Sequence, residues 1–264
     1  GKWHLGDQEG RLPNDRGFDE WYGVPRTLNE SLFTTGTNYD PELVAVPHIM
    51  RGVRGERSEQ VKVLDLDSRR LLDREIVEHA ITFMERESQT DRPFFCYLPI
   101  TQLHFPSLAH PDFIGSTGYG EMADSLAEMD HNVGLVTDAI EKLGIAENTV
   151  LLFGSDNGPE FRRPWRGTAG YWRSTYHTAM EGSLRAPFMI RWTGHIPSGC
   201  VTNEIMHITD VYPTLLAACD IPVPDDRPLD GINQLEFLLG HQEKSDREGF
   251  VFFIKEELRA IKWR

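Results

Sequence analysis

Only three cysteines occur in the 264 residues, and Cys96, Cys200 and Cys219 show neither metal-ligand spacing nor a disulfide framework. The odd count leaves at least one thiol free. Cys96 lies in an apolar run and reads as a core residue. No apolar run reaches the roughly 18 residues of a membrane span. Positive charge is also scarce, with 27 Lys and Arg against 41 Asp and Glu, a net charge of −14. That balance argues against a nucleic-acid partner, because a phosphate backbone demands clustered cations. Any anion site must therefore be a local concentration of positive groups in an acidic chain. There is no internal repeat and no low-complexity tract. No signal peptide is visible, but a chain opening on Gly1 leaves a leader open. Its compartment, periplasmic or secreted against cytoplasmic, is open with it.

What is present fits a globular protein: 39% hydrophobic and 26% charged residues, enough for one large domain or two ordinary ones. Residues 1 to 60 are rich in Gly, Pro, Asn and Asp and read as loop. A helix is expected over about 67 to 88, capped by Asp67, with Leu72, Ile76, Ala80, Phe83 and Met84 on one face. The continuous apolar run Phe94 to Leu98 predicts a strand buried on both faces, as in a parallel sheet. A second helix is expected over about 120 to 143. Met122, Leu126, Met129, Val133, Val136, Ile140 and Leu143 form its apolar stripe, and Gly144 its stop. Thr149 to Phe153 and Pro187 to Trp192 read as further strands. Asp210 is placed as the cap of a helix to about 219. Residues 251 to 254 and 258 to 261 read as a closing antiparallel pair. Strands alternating with long helices indicate an α/β fold.

Several groups invite chemistry. Asp156 and Asn157 follow an apolar strand, where α/β sheets gather ligands. Oxygen donors without Cys or a nearby His suit a hard cation, Ca²⁺ or Mg²⁺. The competing reading is an Asx turn. Lys2 is a point charge for an anionic ester oxygen, and His4 a proton carrier near neutral pH. The alternative is a solvated Lys beside a packed Trp. The glycines flanking this hexapeptide point to a close backbone approach. His104 follows the strand ending near Ile100, at the sheet edge of Asp156 if both strands are parallel; otherwise it is a loop histidine capping a carbonyl. The segment 162 to 185 holds Arg162, Arg163, Arg166, Arg173 and Arg185 among Trp165, Tyr171, Trp172, Tyr176 and His177. Arginine suits tetrahedral oxyanions through paired hydrogen bonds, although a solvated charged loop accounts for some of these residues. Arg166, Arg173 and His177 are the expected substrate contacts. Glu181 and Arg185 read equally as an ion pair or as substrate contacts.

Five motifs then follow one another in a familiar order: Gly1-Lys2-Trp3-His4-Leu5-Gly6, Asp15-Arg16-Gly17-Phe18-Asp19, His104-Phe105-Pro106, Asp156-Asn157-Gly158, and Glu181 through Pro187. Over nearly its whole length the chain resembles the sulfatases, a branch of the alkaline-phosphatase-like superfamily. The resemblance implies a mostly parallel sheet flanked by helices, incomplete, with a catalytic part over 1–247 and the start of a C-terminal antiparallel subdomain over 248–264. Lys2 would contact the sulfate and the nucleophile. His4 would assist the nucleophile's hydroxyl, and His104 would bind a sulfate oxygen. Asp156 and Asn157 would be two metal ligands, usually of Ca²⁺, with Mg²⁺ as the alternative. The substrate would be a small sulfate ester, aryl or sugar.

Two departures qualify the match. The family's nucleophile is a formylglycine made from Cys or Ser in a C-x-P-S-R-like motif N-terminal to the Gly-Lys-Trp-His segment. Here Cys96 precedes Tyr-Leu-Pro and Cys219 precedes Asp-Ile-Pro, so neither serves. The chain thus reads as an internal part of a larger enzyme, inactive alone and prone to self-association through exposed sheet edges. Many sulfatases also place a Lys five residues before the Glu at position 181. Tyr176 stands there, and His177 or Arg173 is the expected substitute. Other readings are a phosphodiesterase or phosphonate monoester hydrolase on the same scaffold, or a non-catalytic anion- or metal-binding remnant.

Overall fold

The computed structural model describes residues 1–264, which divide into two compact units, Gly1–Ile145 with Arg162–Gly167 and Ala146–Phe161 with Thr168–Arg264. The first unit opens with strands the sequence reading missed. β1 (Glu20–Gly23), β2 (His48–Val53) and β3 (Glu59–Val63) form an antiparallel meander in that order. They are four to six residues long and carry Gly, Arg and Glu, so no apolar alternation announces them. A helix, α1 (Leu66–Glu87), follows. Its cap is Asp65, not Asp67: the Asp65 carboxylate accepts Ser68 N–H at 2.8 Å, and Ser68 Oγ accepts Asp65 N–H at 2.9 Å. That reciprocal pair places the cap two residues before the expected position. Leu72 and Ile76 of α1 pack with Val24, Leu28, Ile49 and Leu64 in the core of this unit. Each such buried aliphatic side chain contributes roughly 1.5–3 kcal/mol.

The run Phe94 to Leu98 forms no ladder, and its side chains alternate between exposed and half-buried. A strand needs a neighbour for its N–H and C=O groups, and the described residues supply none on either side. All multi-residue ladders are antiparallel; the one parallel register is an isolated bridge between Lys2 and Val24.

A second long helix, α2 (Glu121–Lys142), begins where expected, and Gly144 beyond its end adopts φ +69°. Its buried face is not the expected stripe. Val136 and Ile140 are buried, but toward the N-terminus the buried residues are Asp124, Ser125, Glu128 and Asn132, while Leu126 is 48% exposed. The preceding loop explains the inversion. Asp124 accepts the N–H groups of Gly115 and Thr117 and the Thr117 hydroxyl, and Glu128 accepts His110 N–H. Loop backbone that needs acceptors has drawn the polar face inward.

In the second unit β4 (Leu151–Gly154) pairs antiparallel with β5 (Phe188–Arg191), after the short helix α3 (Glu181–Leu184). Parallel strands at this point, expected to align His104 with Asp156, are absent among the described residues. α4 (Val211–Ala218) holds Pro213 in its first turn, as expected. Asp210 precedes it but its side chain does not cap it. The carboxylate instead receives Arg247 Nε at 2.7 Å and Nη2 at 2.6 Å, with the N–H groups of His207 and Ile232, both at 2.8 Å. Burial pushes this carboxyl up, but Arg247 and the two N–H groups outweigh it and hold it below its ordinary value. A short helix, α5 (Leu235–Leu238), leads to β6 (Gly249–Ile254) and β7 (Glu257–Trp263), the expected antiparallel pair.

Asp210 is fully buried, so removing its cation leaves a dry, uncompensated charge. Replacing Arg247→Met is expected to cost about 3–5 kcal/mol, read as a drop in the urea midpoint at neutral pH.

Candidate active site

In the first unit three segments lie side by side. Residues 1 to 4 run along 22 to 25: Val24 N–H reaches Gly1 O at 3.0 Å, Trp3 N–H reaches Val24 O at 2.9 Å, and His4 N–H reaches Pro25 O at 3.0 Å. On the other side Lys2 N–H donates to Pro99 O at 3.2 Å. The close approach that the glycines foretold is real: a Cβ on Gly1 would collide with Pro99, and one on Gly23 with Gly1. Lys2 is half-buried, and its ammonium pairs with no carboxylate. His4 takes φ +57°, a left-handed conformation rare for a residue with a side chain and frequent at functional sites.

His104 belongs to the third segment. Its Nδ1 lies 2.7 Å from Phe105 O, the carbonyl contact expected of a loop histidine, and its Nε2 lies 3.4 Å from Thr27 Oγ1. Thr27 donates in turn to Asn29 Oδ1 at 2.8 Å. A ring that donates through Nδ1 presents Nε2 outward. Phe105 stacks on the ring at 4.9 Å, and the Arg162 guanidinium sits 3.9 Å over the Phe105 ring. Thr27, Asn29 and Arg162 are neighbours that the sequence reading did not single out. Arg162 had a signal, its place in the Arg-rich segment; Thr27 and Asn29 had none. Arg166 is exposed in the same unit, four residues from Arg162.

The second unit holds Asp156, Asn157, Arg173 and His177. Asp156 follows β4, is exposed, and makes no hydrogen bond or ion pair. Asn157 Nδ2 donates to Gly158 O at 2.9 Å, and Ser155 Oγ donates to Asn157 O at 3.0 Å, local turn contacts in line with the competing Asx-turn expectation. The surrounding backbone is tightly knit. Gly158 N–H reaches Ser183 O at 2.8 Å, Tyr176 N–H reaches Pro159 O at 3.0 Å, and Gly182 N–H reaches Arg173 O at 2.9 Å. A Cβ on Gly158 would strike the Gly182 carbonyl, and one on Gly182 the Ser174 carbonyl. Arg173 and His177 are exposed on this loop, His177 with φ +68°. Glu181 and Arg185 form an ion pair at 2.9 Å, Lys262 joins Glu181 at 2.5 Å, and Arg185 lies 4.3 Å over the Trp172 ring.

Donor chemistry after β4 suits a hard cation, an unpaired carboxylate beside an amide. The number of donors does not: no group of three or more His, Cys, Asp or Glu gathers around any point, whereas calcium takes about six to eight oxygens. A metal site here needs donors beyond these two residues. Burial pushes the Cys96 thiol up, away from the reactive thiolate.

The sulfatase family model matches residues 1–221, and the chain belongs to that family. N-acetylgalactosamine-6-sulfatase of Canis lupus familiaris is 31% identical, over 96% of this chain and 48% of its own length. Arylsulfatase A of Homo sapiens is 33% identical, over 99% and 52%. The chain thus spans about half the length of the curated relatives it matches. Among solved structures, the PsFucS1 sulfatase from Pseudoalteromonas sp. superposes with a TM-score of 0.91 at 28% identity, over the whole of this chain and 56% of its own. The fold is accordingly the alkaline-phosphatase-like α/β fold of the sulfatases. The helices and small antiparallel sheets described above represent it incompletely.

Hydrogen bonds from Lys262 and Arg185 hold the Glu181 carboxyl below its ordinary value of 4.5. A lowered acid favours the folded state above its unfolded value, and that contribution disappears as pH falls through the lower folded value. Stability is therefore expected to decline below about pH 4.5, and Lys262→Met to flatten the decline, in urea titrations across pH 3 to 7.

Proposed function

We propose that the protein carrying this chain hydrolyses sulfate monoesters of small sugar or aryl alcohols. One observation carries the reading: in a chain of net charge −14, an unpaired, half-buried lysine lies on a segment bonded on one side to residues 24 and 25 and on the other to Pro99. Those flanking segments bring Thr27 to His104. A tetrahedral oxyanion suits such a setting, and the relatives include one named for N-acetylgalactosamine-6-sulfate and one named arylsulfatase.

In this reading Lys2 holds a sulfate oxygen as a point charge and balances charge that grows as the S–O bond breaks. His104, its Nδ1–H anchored on Phe105 O, turns Nε2 toward a second oxygen; protonated, it donates there. His4, set in its left-handed conformation, accepts the proton of the attacking hydroxyl. Arg162 and Arg166 add positive charge in the same unit. Arg173 or His177 would stand in for the lysine that Tyr176 displaces, and Asp156 and Asn157 would be two of the oxygen donors to calcium, or to magnesium in its place. A formylglycine would supply the attacking oxygen and calcium the Lewis acidity; these 264 residues alone, without that oxygen, are expected to turn over nothing.

The test compares sugar-6-sulfates, 4-nitrophenyl sulfate, phosphate monoesters and phosphate diesters on the full-length protein. Sulfate esters are expected to give the highest kcat/KM, and Lys2→Ala to lower it by about 10²–10³-fold. A preference for phosphate diesters, or an unchanged Lys2→Ala variant, contradicts the reading.

A further inference from the structure

Beneath His104 lie three ionisable side chains that the proposed chemistry does not use. Arg69 and Asp73 of α1 and Glu128 of α2 are each no more than 1% exposed. Buried ions are poor stabilisers, since apolar residues of similar volume often serve as well or better. Their partners indicate another role, because all three grip one loop. Asp73 accepts Thr101 N–H at 2.7 Å, the Thr101 hydroxyl at 2.8 Å and Gln102 N–H at 3.0 Å. Arg69 Nη2 donates to Gln102 Oε1 at 3.1 Å and to the carbonyl of His104 itself at 3.3 Å. From the other helix, Glu128 Oε2 accepts His110 N–H at 2.9 Å and Gln102 Nε2 at 3.3 Å, and Gln102 Nε2 also reaches Leu108 O at 3.0 Å.

The two ends of the loop, 101–102 and 108–110, are thus drawn together over α1 and α2, with His104 between them. We infer that Glu128, with Arg69, Asp73 and Gln102, is a positioning residue for His104: it fixes where the imidazole stands without touching substrate. The inference rests on the sulfatase reading only for the role of His104; the grip on the ring is independent of it. Displacing a reacting group by about 1 Å costs on the order of 10²-fold in rate, so such a clamp has a measurable effect. Glu128 Oε1 has no partner, so a glutamine whose amide nitrogen occupies that place keeps both hydrogen bonds to Oε2.

The experiment follows the ring nitrogens of His104 by ¹⁵N NMR in the full-length protein, assigned by His104→Gln, beside kcat and KM. In Glu128→Leu the ring signals are expected to shift or broaden and kcat to fall about 10–100-fold with KM little changed. Glu128→Gln restores both. Val136→Ala, which opens a cavity farther along the same helix, lowers stability and leaves the ring and kcat as they were. Ring signals and kcat untouched in folded Glu128→Leu, or moved equally by Val136→Ala, overturn the inference. Should Glu128→Leu fail to fold, the unaltered protein decides: the amides of Thr101, Gln102 and His110 exchange as slowly as the core of α1 if the carboxylates hold them, and at loop rates if they do not. The ring measurement needs no turnover, so an intact ring response without sulfate ester hydrolysis removes the sulfatase reading alone.

Discussion

A buried guanidinium cannot be left to find its own partners. Arg69 is enclosed in α1, and burial drives its guanidinium below its ordinary value even with Asp73 3.6 Å away. It must be met by acceptors, and the acceptors available are the carbonyls and the amide of the loop after Ile100. The core that closes over it then depends on that loop being in place. Asp73 has the converse need and takes the loop's N–H groups. The pair makes the path of residues 101 to 104 a condition of folding α1 against the rest of its unit. His104 inherits its position from that condition.

The second unit uses backbone where the first uses buried charge. Gly158 and Gly182 have no room for a side chain, because each faces a carbonyl of another segment. The turn that carries Asp156 is therefore held through the hydrogen bonds of residues 158, 176 and 182. The Glu181–Lys262 pair ties α3 to β7, and the Asp210–Arg247 pair ties the start of α4 to the chain before β6. The bidentate fork of Arg247 on a buried carboxylate is among the stronger of such contacts.

Much of this was legible in the sequence, and what was not has physical reasons. Both long helices, the closing hairpin and the order of the motifs were readable, because periodicity and a multi-part motif survive without tertiary information. The β1–β3 meander was not, since strands of four to six residues with glycine and charge carry no pattern of their own. The apolar stripe of α2 misled: Leu126 fits the period but is exposed, while Asp124 and Glu128 are buried because the loop before the helix gives them its N–H groups. Phe94 to Leu98 looked like a core strand, but continuous apolar sequence fixes neither pairing nor burial: Phe95 and Tyr97 are exposed. Lys2, His4 and His104 were found as motifs, but their setting was not: Thr27 beside His104 is a consequence of three segments meeting, which no local signal encodes.

In the proposed function Lys2, His4 and His104 form one face for a sulfate group. Titrating inorganic sulfate into the calcium-loaded full-length protein while following the histidine ring signals tests it most directly. His104 and His4 are expected to respond together, saturably, and Lys2→Ala to abolish the response while the fold is retained. Saturable binding that leaves both rings unmoved, or that survives Lys2→Ala unchanged, would contradict it.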